Sequence, residues 1–139
     1  MSKYNIKEKK IIKQCKEGPY HTLITNITND EFNNLVDKLI KDDESSILTS
    51  IIAIYIDYNR DKITNYFINK KDVNLLIGYL DYCNDFESPN NILNQRYIVD
   101  KLIDLNDKEY IKNIIDSNLL YYLTNIKEKE RLNNYIGGK

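Results

Sequence analysis

The chain of 139 residues has no tryptophan, one histidine, two cysteines, two prolines and four glycines. Each scarcity closes off a class of explanation. With His21 as the single imidazole and Cys15 its nearest thiol, the nucleophile, base and orienting group of a hydrolytic centre are not assembled by any recognisable spacing. Three Cys and His side chains in total cannot fill a four-ligand structural zinc site. Cys15 and Cys83 are far apart and form no C-x-x-C pair, which fits a reduced chain better than a disulfide framework. Gly18, Gly78, Gly137 and Gly138 are scattered, so no glycine-rich loop cradles a phosphate. The expectation is a chain that is not an enzyme and needs no metal and no cofactor. The apolar stretch IIAIYI at 51 to 56 is too short to cross a bilayer, and no leader pattern opens the sequence, so no membrane and a cytoplasmic location are expected.

An excess of one charge is missing too. Twenty basic residues face 21 acidic ones, a formal net charge of −1, and such a chain has no global field to recruit nucleic acid or an anionic membrane. Lys3, Lys7, Lys9, Lys10, Lys13 and Lys16 do cluster near the start. A phosphate-tracking groove needs Lys or Arg along its whole length, however, and the rest of the chain is net acidic. The segment reads as the solvated face of a terminal helix, and nucleic acid is disfavoured as a partner.

What is plentiful is Ile, Asn, Lys and Tyr, four residues with AT-rich codons, so the asparagine surplus is read as genomic bias. Hydrophobic residues at 42% and charged residues at 29%, with so little Gly and Pro, give the profile of a soluble, mostly helical protein. The length suits one domain, 1–139.

Helical periodicity and capping signals divide it. Residues 5–16 place Ile6, Ile11, Ile12 and Cys15 near one side of a helix ended by Gly18 and Pro19, and 20–27 reads as loop or a helical turn. Thr28 and Glu31 form a capping-box pattern ahead of Phe32, Leu35, Val36, Leu39 and Ile40. Asp42 and Asp43 end that helix and cap a nearly all-apolar one at 44–58, the expected centre of the fold. Further helices are expected at 60–69, at 73–83 after an Asp72 cap, at 89–105 with Ser88 as cap and Pro89 in first position, at 108–116 after Asp107, at 118–125 after Ser117, and at 127–136.

The most informative feature is an internal echo. Residues 56–69 read IDYNRDKITNYFIN and 103–116 read IDLNDKEYIKNIID, in register at a spacing of 47, with Ile56, Asp57, Asn59 and Ile68 matched by Ile103, Asp104, Asn106 and Ile115. A second echo, VDKLI at 36–40 and 99–103, has a spacing of 63 and is only five residues long. A repeat of 40 to 47 residues with two or three helices is the period of helical solenoids. The unit found here, with YFINKKDVNLLIGYL at 66–80 echoed by NIIDSNLLYYL at 113–123, resembles the armadillo and HEAT-like repeats, the three-helix armadillo form most closely. The glycine usual between the first two helices is absent at both junctions.

That resemblance implies an all-α, right-handed α-α superhelix of seven to eight helices, with 1–29 as an N-terminal capping helix and connector and 30–136 as the repeats. It also implies a groove lined by the third helices, where an asparagine followed by an apolar residue grips an extended peptide. Asp57 before Tyr58, Asp104 before Leu105 and Asn134 before Tyr135 fall at that place. A carboxylate only accepts hydrogen bonds and so favours Arg, Lys or free backbone N–H of a partner; the competing reading is that these aspartates simply close their helices or cap the next turn. Arg96 and Asp100 share this surface. Among twelve tyrosines, the adjacent Tyr121 and Tyr122 cannot both be buried on one helix, so one should be exposed and available to an interface. The expected function is a non-catalytic protein-binding module that docks on or occludes a protein partner, in the manner of immunity-type or viral inhibitor proteins. The competing readings are a structural subunit of a homo-oligomer and an RNA-binding helical repeat.

Overall fold

The computed structural model describes residues 3–17, 25–55, 58–84 and 89–137. Among these the chain forms nine helices, one of them a single turn, and no strand. None of the helices is long and apolar enough to cross a membrane. They fall into two compact units, Met1–Tyr58 and Asn59–Lys139. His21, Asp57 and Ser88, all singled out in the sequence, lie outside the described residues.

The first unit holds α1 (Ile6–Glu17), α2 (Asn29–Lys41) and α3 (Ser45–Ile54). Helix α3 buries Ile47, Leu48, Ile51, Ile52 and Ile54, leaving little polar face, and both α1 and α2 pack against it. The expected capping box is present: Thr28 Oγ1 accepts from Glu31 N at 3.1 Å, and Thr28 N donates to Glu31 Oε1 at 2.9 Å. Asn5 and Glu8 make the same reciprocal pair at the start of α1, at 2.8 and 2.9 Å. Glu8 is thereby drawn into the interior, 5% exposed, where Lys38 Nζ of α2 meets it at 2.8 Å. The apolar side expected of α1 is rotated accordingly. Ile11 and Cys15 are buried with Glu8 and Gln14, whereas Ile6 stands 74% exposed.

Two further expectations are corrected. Asp42 closes α2, but neither it nor Asp43 caps α3, whose N-cap is Glu44 with no side-chain bond. Asp43 instead takes a left-handed φ of 57° as the chain reverses. Helix α3 also stops at Ile54, short of 58. Tyr55 leaves the helix so that its hydroxyl donates to the Thr25 carbonyl at 2.5 Å, and the Tyr58 hydroxyl donates to the Ile27 carbonyl. The Phe32 ring meets both tyrosines edge-on, at 5.8 and 4.9 Å. The loop at 25–27 is thus tied down by ring packing and two phenol bonds in place of a further helical turn.

The second unit holds α4 (Asp61–Asn69), α5 (Val73–Asn84), α6 (Pro89–Leu105), α7 (Lys108–Asp116), α8 (Leu119–Tyr122) and α9 (Ile126–Ile136). Helices α4 and α7 begin and end in register at the 47-residue spacing seen in the sequence. Three buried positions also correspond, Ile63, Thr64 and Phe67 in α4 matching Tyr110, Ile111 and Ile114 in α7, while the buried Tyr66 and Ile68 have the exposed Asn113 and half-buried Ile115 as counterparts. After each helix the chain turns through a left-handed residue, Lys71 at φ 57° and Asn118 at φ 71°, again 47 apart. The junction conformation that favours glycine is therefore kept without it, at a cost of about 1–2 kcal/mol per ordinary L-residue, and Asn tolerates it best.

The echo then ends. Helix α5 runs for 12 residues, but its counterpart α8 is a single turn of four. The expected helix at 118–125 is cut short because Leu123 turns to extended backbone and Asn125 caps α9 through its side chain. Ser117 is the C-cap of α7 and Asn118 precedes α8, correcting the expected Ser117 cap.

Gly78 sits exposed in the middle of α5, and a Cβ placed there would meet nothing within 4 Å. Gly78→Ala should raise stability by about 0.5–1 kcal/mol, because alanine loses less backbone freedom in a helix. Urea denaturation followed by circular dichroism measures this, and a destabilised variant would contradict an open site.

Candidate functional site

Helix α6 is the spine of the second unit. Pro89 begins it, as its fixed φ suits a first helical position. Its inward residues Ile98, Val99 and Leu102 are fully buried, and it packs against α4 and α9. Residues four apart share a helix face, so Arg96, Asp100 and Asp104 form one exposed stripe.

The contacts between α6 and α9 climb together along both helices. Gln95 Oε1 accepts from Asn125 N at 2.9 Å, Arg96 Nε lies 4.0 Å from Glu128 Oε2, Arg131 Nη2 donates to Asp100, and the Tyr135 hydroxyl pairs with Asn106 Oδ1. The two helices therefore run side by side in the same direction, which sets Asn134 level with Asp104. Glu128, 3% exposed, is held by Arg131 as well as approached by Arg96. Asp100 and Glu128 together push the Arg131 pKa further above its ordinary value. Asp100 is thus engaged within the chain, while Asp104 and Asn134 point to solvent.

On the other flank of α6 a groove of about 260 Å³ lies between α4 and α6, lined by Asn65, Ile68, Asn69, Lys101, Asp104 and Leu105. Its chemistry is mixed in a useful way. Asn65 and Asn69, four apart on α4, each offer a donor and an acceptor, which is what a peptide backbone requires. Asp104 supplies a carboxylate, Lys101 an ammonium group that also lies 5.3 Å from the Tyr97 ring centroid, and the half-buried Leu105 an apolar contact, with Ile68 buried beneath. Below the groove the Tyr110 hydroxyl donates to the Ile68 carbonyl at 3.0 Å, and Lys71 pairs with Asp107 at 2.5 Å, fixing the end of α4.

Of the residues singled out by sequence, the structure gathers Arg96, Asp100, Asp104 and Asn134 on the α6–α9 surface. Tyr121 and Tyr122 are elsewhere, on α8. Tyr121 is 78% exposed and meets the half-buried Tyr122 edge-on at 5.1 Å. The groove asparagines were missed. Their signal was the four-residue spacing on the polar side of a short helix, masked by the general abundance of Asn.

A second polar cluster lies inside this unit. Thr64 Oγ1 is 2.8 Å from the Tyr79 hydroxyl and donates to Asn94 Oδ1, while Asn94 Nδ2 is 3.8 Å from Cys83 Sγ. All four residues are at most 1% exposed, and Arg60 beside them is 2% exposed. Burial pushes the Tyr79 phenol well above its ordinary pKa; it raises the Cys83 thiol too, an effect that Arg60 opposes. Neither group is ionised near neutrality, so the cluster acts as a neutral hydrogen-bond relay around one buried cation. Among the described residues no group of three or more His, Cys, Asp or Glu could hold a metal ion.

No family model, no curated protein and no solved structure matches this chain.

Proposed function

We propose that this chain is a non-catalytic protein-binding module whose α4–α6 groove receives an extended segment of a protein partner. The observation that carries this reading is the convergence of Asn65, Asn69, Lys101 and Asp104 around an apolar floor. Amides grip a backbone, Asp104 selects a basic side chain, and Leu105 selects an apolar one. The in-register α4 and α7 and the parallel α6 and α9 support a short armadillo-like stack, in which such grooves would be laid side by side. Acting in the cytoplasm without a cofactor, a module of this kind works by occluding its partner, as immunity-type and viral inhibitor proteins do; that last step is analogy.

Selection of a displayed random-peptide library tests the reading. Wild type is expected to enrich extended segments carrying Arg or Lys, and an Asp104→Lys, Asn69→Ala variant with an unchanged helical spectrum is expected to lose on the order of tenfold in affinity for them, about 1.4 kcal/mol. Equal binding by both proteins would remove the groove from consideration. A homo-oligomer is the alternative that one observation favours, the 78% exposure of Tyr121. A mass in solution that rises with concentration in wild type and not in Tyr121→Ser would support it.

A further inference from the structure

The first unit carries a concavity of its own, about 480 Å³, bounded by Tyr4, Lys9, Ile12, Lys13, Lys16 and the carboxylates of Glu17 and Glu44. It is separate in sequence and composition from the groove described above. Its wall is one side of α1. Lys9, Ile12, Lys13 and Lys16 follow the three-and-four spacing of a single helix face, so the three ammonium groups span about 10 Å of rise with an isoleucine among them.

Two of the other lysines near the start of the chain, Lys3 and Lys7, are used internally, whereas Lys10 is exposed on another side of α1. Lys3 pairs with Asp42 at 2.8 Å, and Lys7 with Glu31 at 3.0 Å. These contacts fix α1 against α2. By contrast the ammonium groups of Lys9 and Lys16 have no ion pair or hydrogen bond among the described residues, and that of Lys13 has only a long 3.8 Å contact with Glu17, both side chains being more than half exposed. An exposed pair of that kind contributes almost nothing to stability. The lysines on the concavity are therefore not explained by the fold, whereas those facing α2 are.

We infer that this face of α1 is a docking site for an acidic amphipathic helix, with carboxylates placed to meet Lys9, Lys13 and Lys16 and an apolar side chain seated on Ile12 and Tyr4. Charge complementarity names the sign of the partner, and the helical spacing of the lysines matches Asp or Glu repeated at intervals of four and three. Two features favour a peptide over a nucleic acid. Glu17 and Glu44 at the rim would repel a continuous phosphate backbone but can accept a Lys or Arg that flanks the acidic residues of a peptide. Ile12 gives apolar contact that a phosphate cannot use.

The test uses the full chain and fluorescence anisotropy. The probe is a synthetic helical peptide with Glu at positions i, i+4 and i+7 and Leu at i+3, compared with a scrambled peptide of the same composition and with an oligouridylate. Wild type should bind the ordered peptide, more weakly as salt rises from about 20 to 200 mM, since such contacts are screened. Lys9→Glu, Lys13→Glu, Lys16→Glu should reduce that binding at least about tenfold, and the neutral Lys→Gln triple should fall between. A control with the same change in net charge, Lys112→Glu, Lys127→Glu, Lys129→Glu, should bind as wild type does. Circular dichroism confirms that each variant is folded. No binding by wild type, equal binding of the scrambled peptide, equal loss in the control, or preferential binding of the oligouridylate would each overturn the inference.

Discussion

Phe67→Ala is expected to lower the stability of the second unit by about 3–5 kcal/mol, the largest effect of any single substitution considered. Phe67 is fully buried in α4, its ring stacked on that of Tyr79 at 4.4 Å with an interplanar angle of 19° and edge-on to Tyr66 at 5.0 Å. Truncation removes a large apolar area and one side of two ring contacts, and the cavity left behind is hemmed in by α5 and α6, which cannot collapse into it without breaking their own packing. The cost adds to a total that for most domains is only about 5–15 kcal/mol. Denaturation in urea, followed at 222 nm, gives the difference. Ile126→Ala is the comparison: that side chain is 68% exposed, and its loss should matter by no more than about 0.5 kcal/mol. If the two variants unfold at similar urea concentrations, the ring is not in the core.

Thr64→Val tests the buried relay without changing volume. It should cost about 2–4 kcal/mol, because one hydroxyl serves both the Tyr79 phenol and Asn94 Oδ1, and each buried polar group left without its partner costs about 1–3 kcal/mol. The expected asymmetry is more informative than the size. Valine at 64 combined with Tyr79→Phe and Asn94→Leu should recover much of the loss, since removing all partners together strands none of them. An additive outcome, in which the loss in the triple variant equals the sum of the three single losses, would show that these groups are not coupled. The repeat supplies an internal control: the counterpart of Thr64 in α7 is Ile111, also fully buried, so the same helix position tolerates an apolar side chain where no relay surrounds it.

That comparison also shows what could and could not be read in the chain. The bounds of α4 and α7, the Thr28–Glu31 box, the Pro89 start and the Gly137 end are local signals, written within a few residues, and they were legible. Helix α8 was not, because Asn118 at positive φ and the Asn125 cap shorten it, and neither is marked by Gly or Pro. Burial of Glu8, Thr64, Asn94 and Gln95 was hidden for a different reason. Periodicity assigns polar residues outward, whereas these four are satisfied by partners roughly thirty residues away or by a cap on their own helix. Asn65, Asn69 and Asn94 were further obscured by reading the asparagine surplus as codon usage alone. Of the residues lining the groove, Asp104 stood out in the sequence through the 47-residue echo, whereas Asn134 was named only through the armadillo resemblance and does not line it. Asp100 shares a helix face with Asp104, but its ion pair with Arg131 depends on the register of α6 against α9, which no local pattern states.

The two free cysteines divide evenly, Cys15 in the first unit and Cys83 in the second. Both thiols are buried, and burial pushes Cys15 up to about 12. Alkylation requires an exposed thiolate, so each sulfur reacts only when its own surroundings open. The native sequence therefore contains one chemical clock per unit. Peptide mass spectrometry of a timed iodoacetamide reaction reads the two clocks in a single tube, and so reports whether the halves of this chain loosen together or one before the other, with no engineered label.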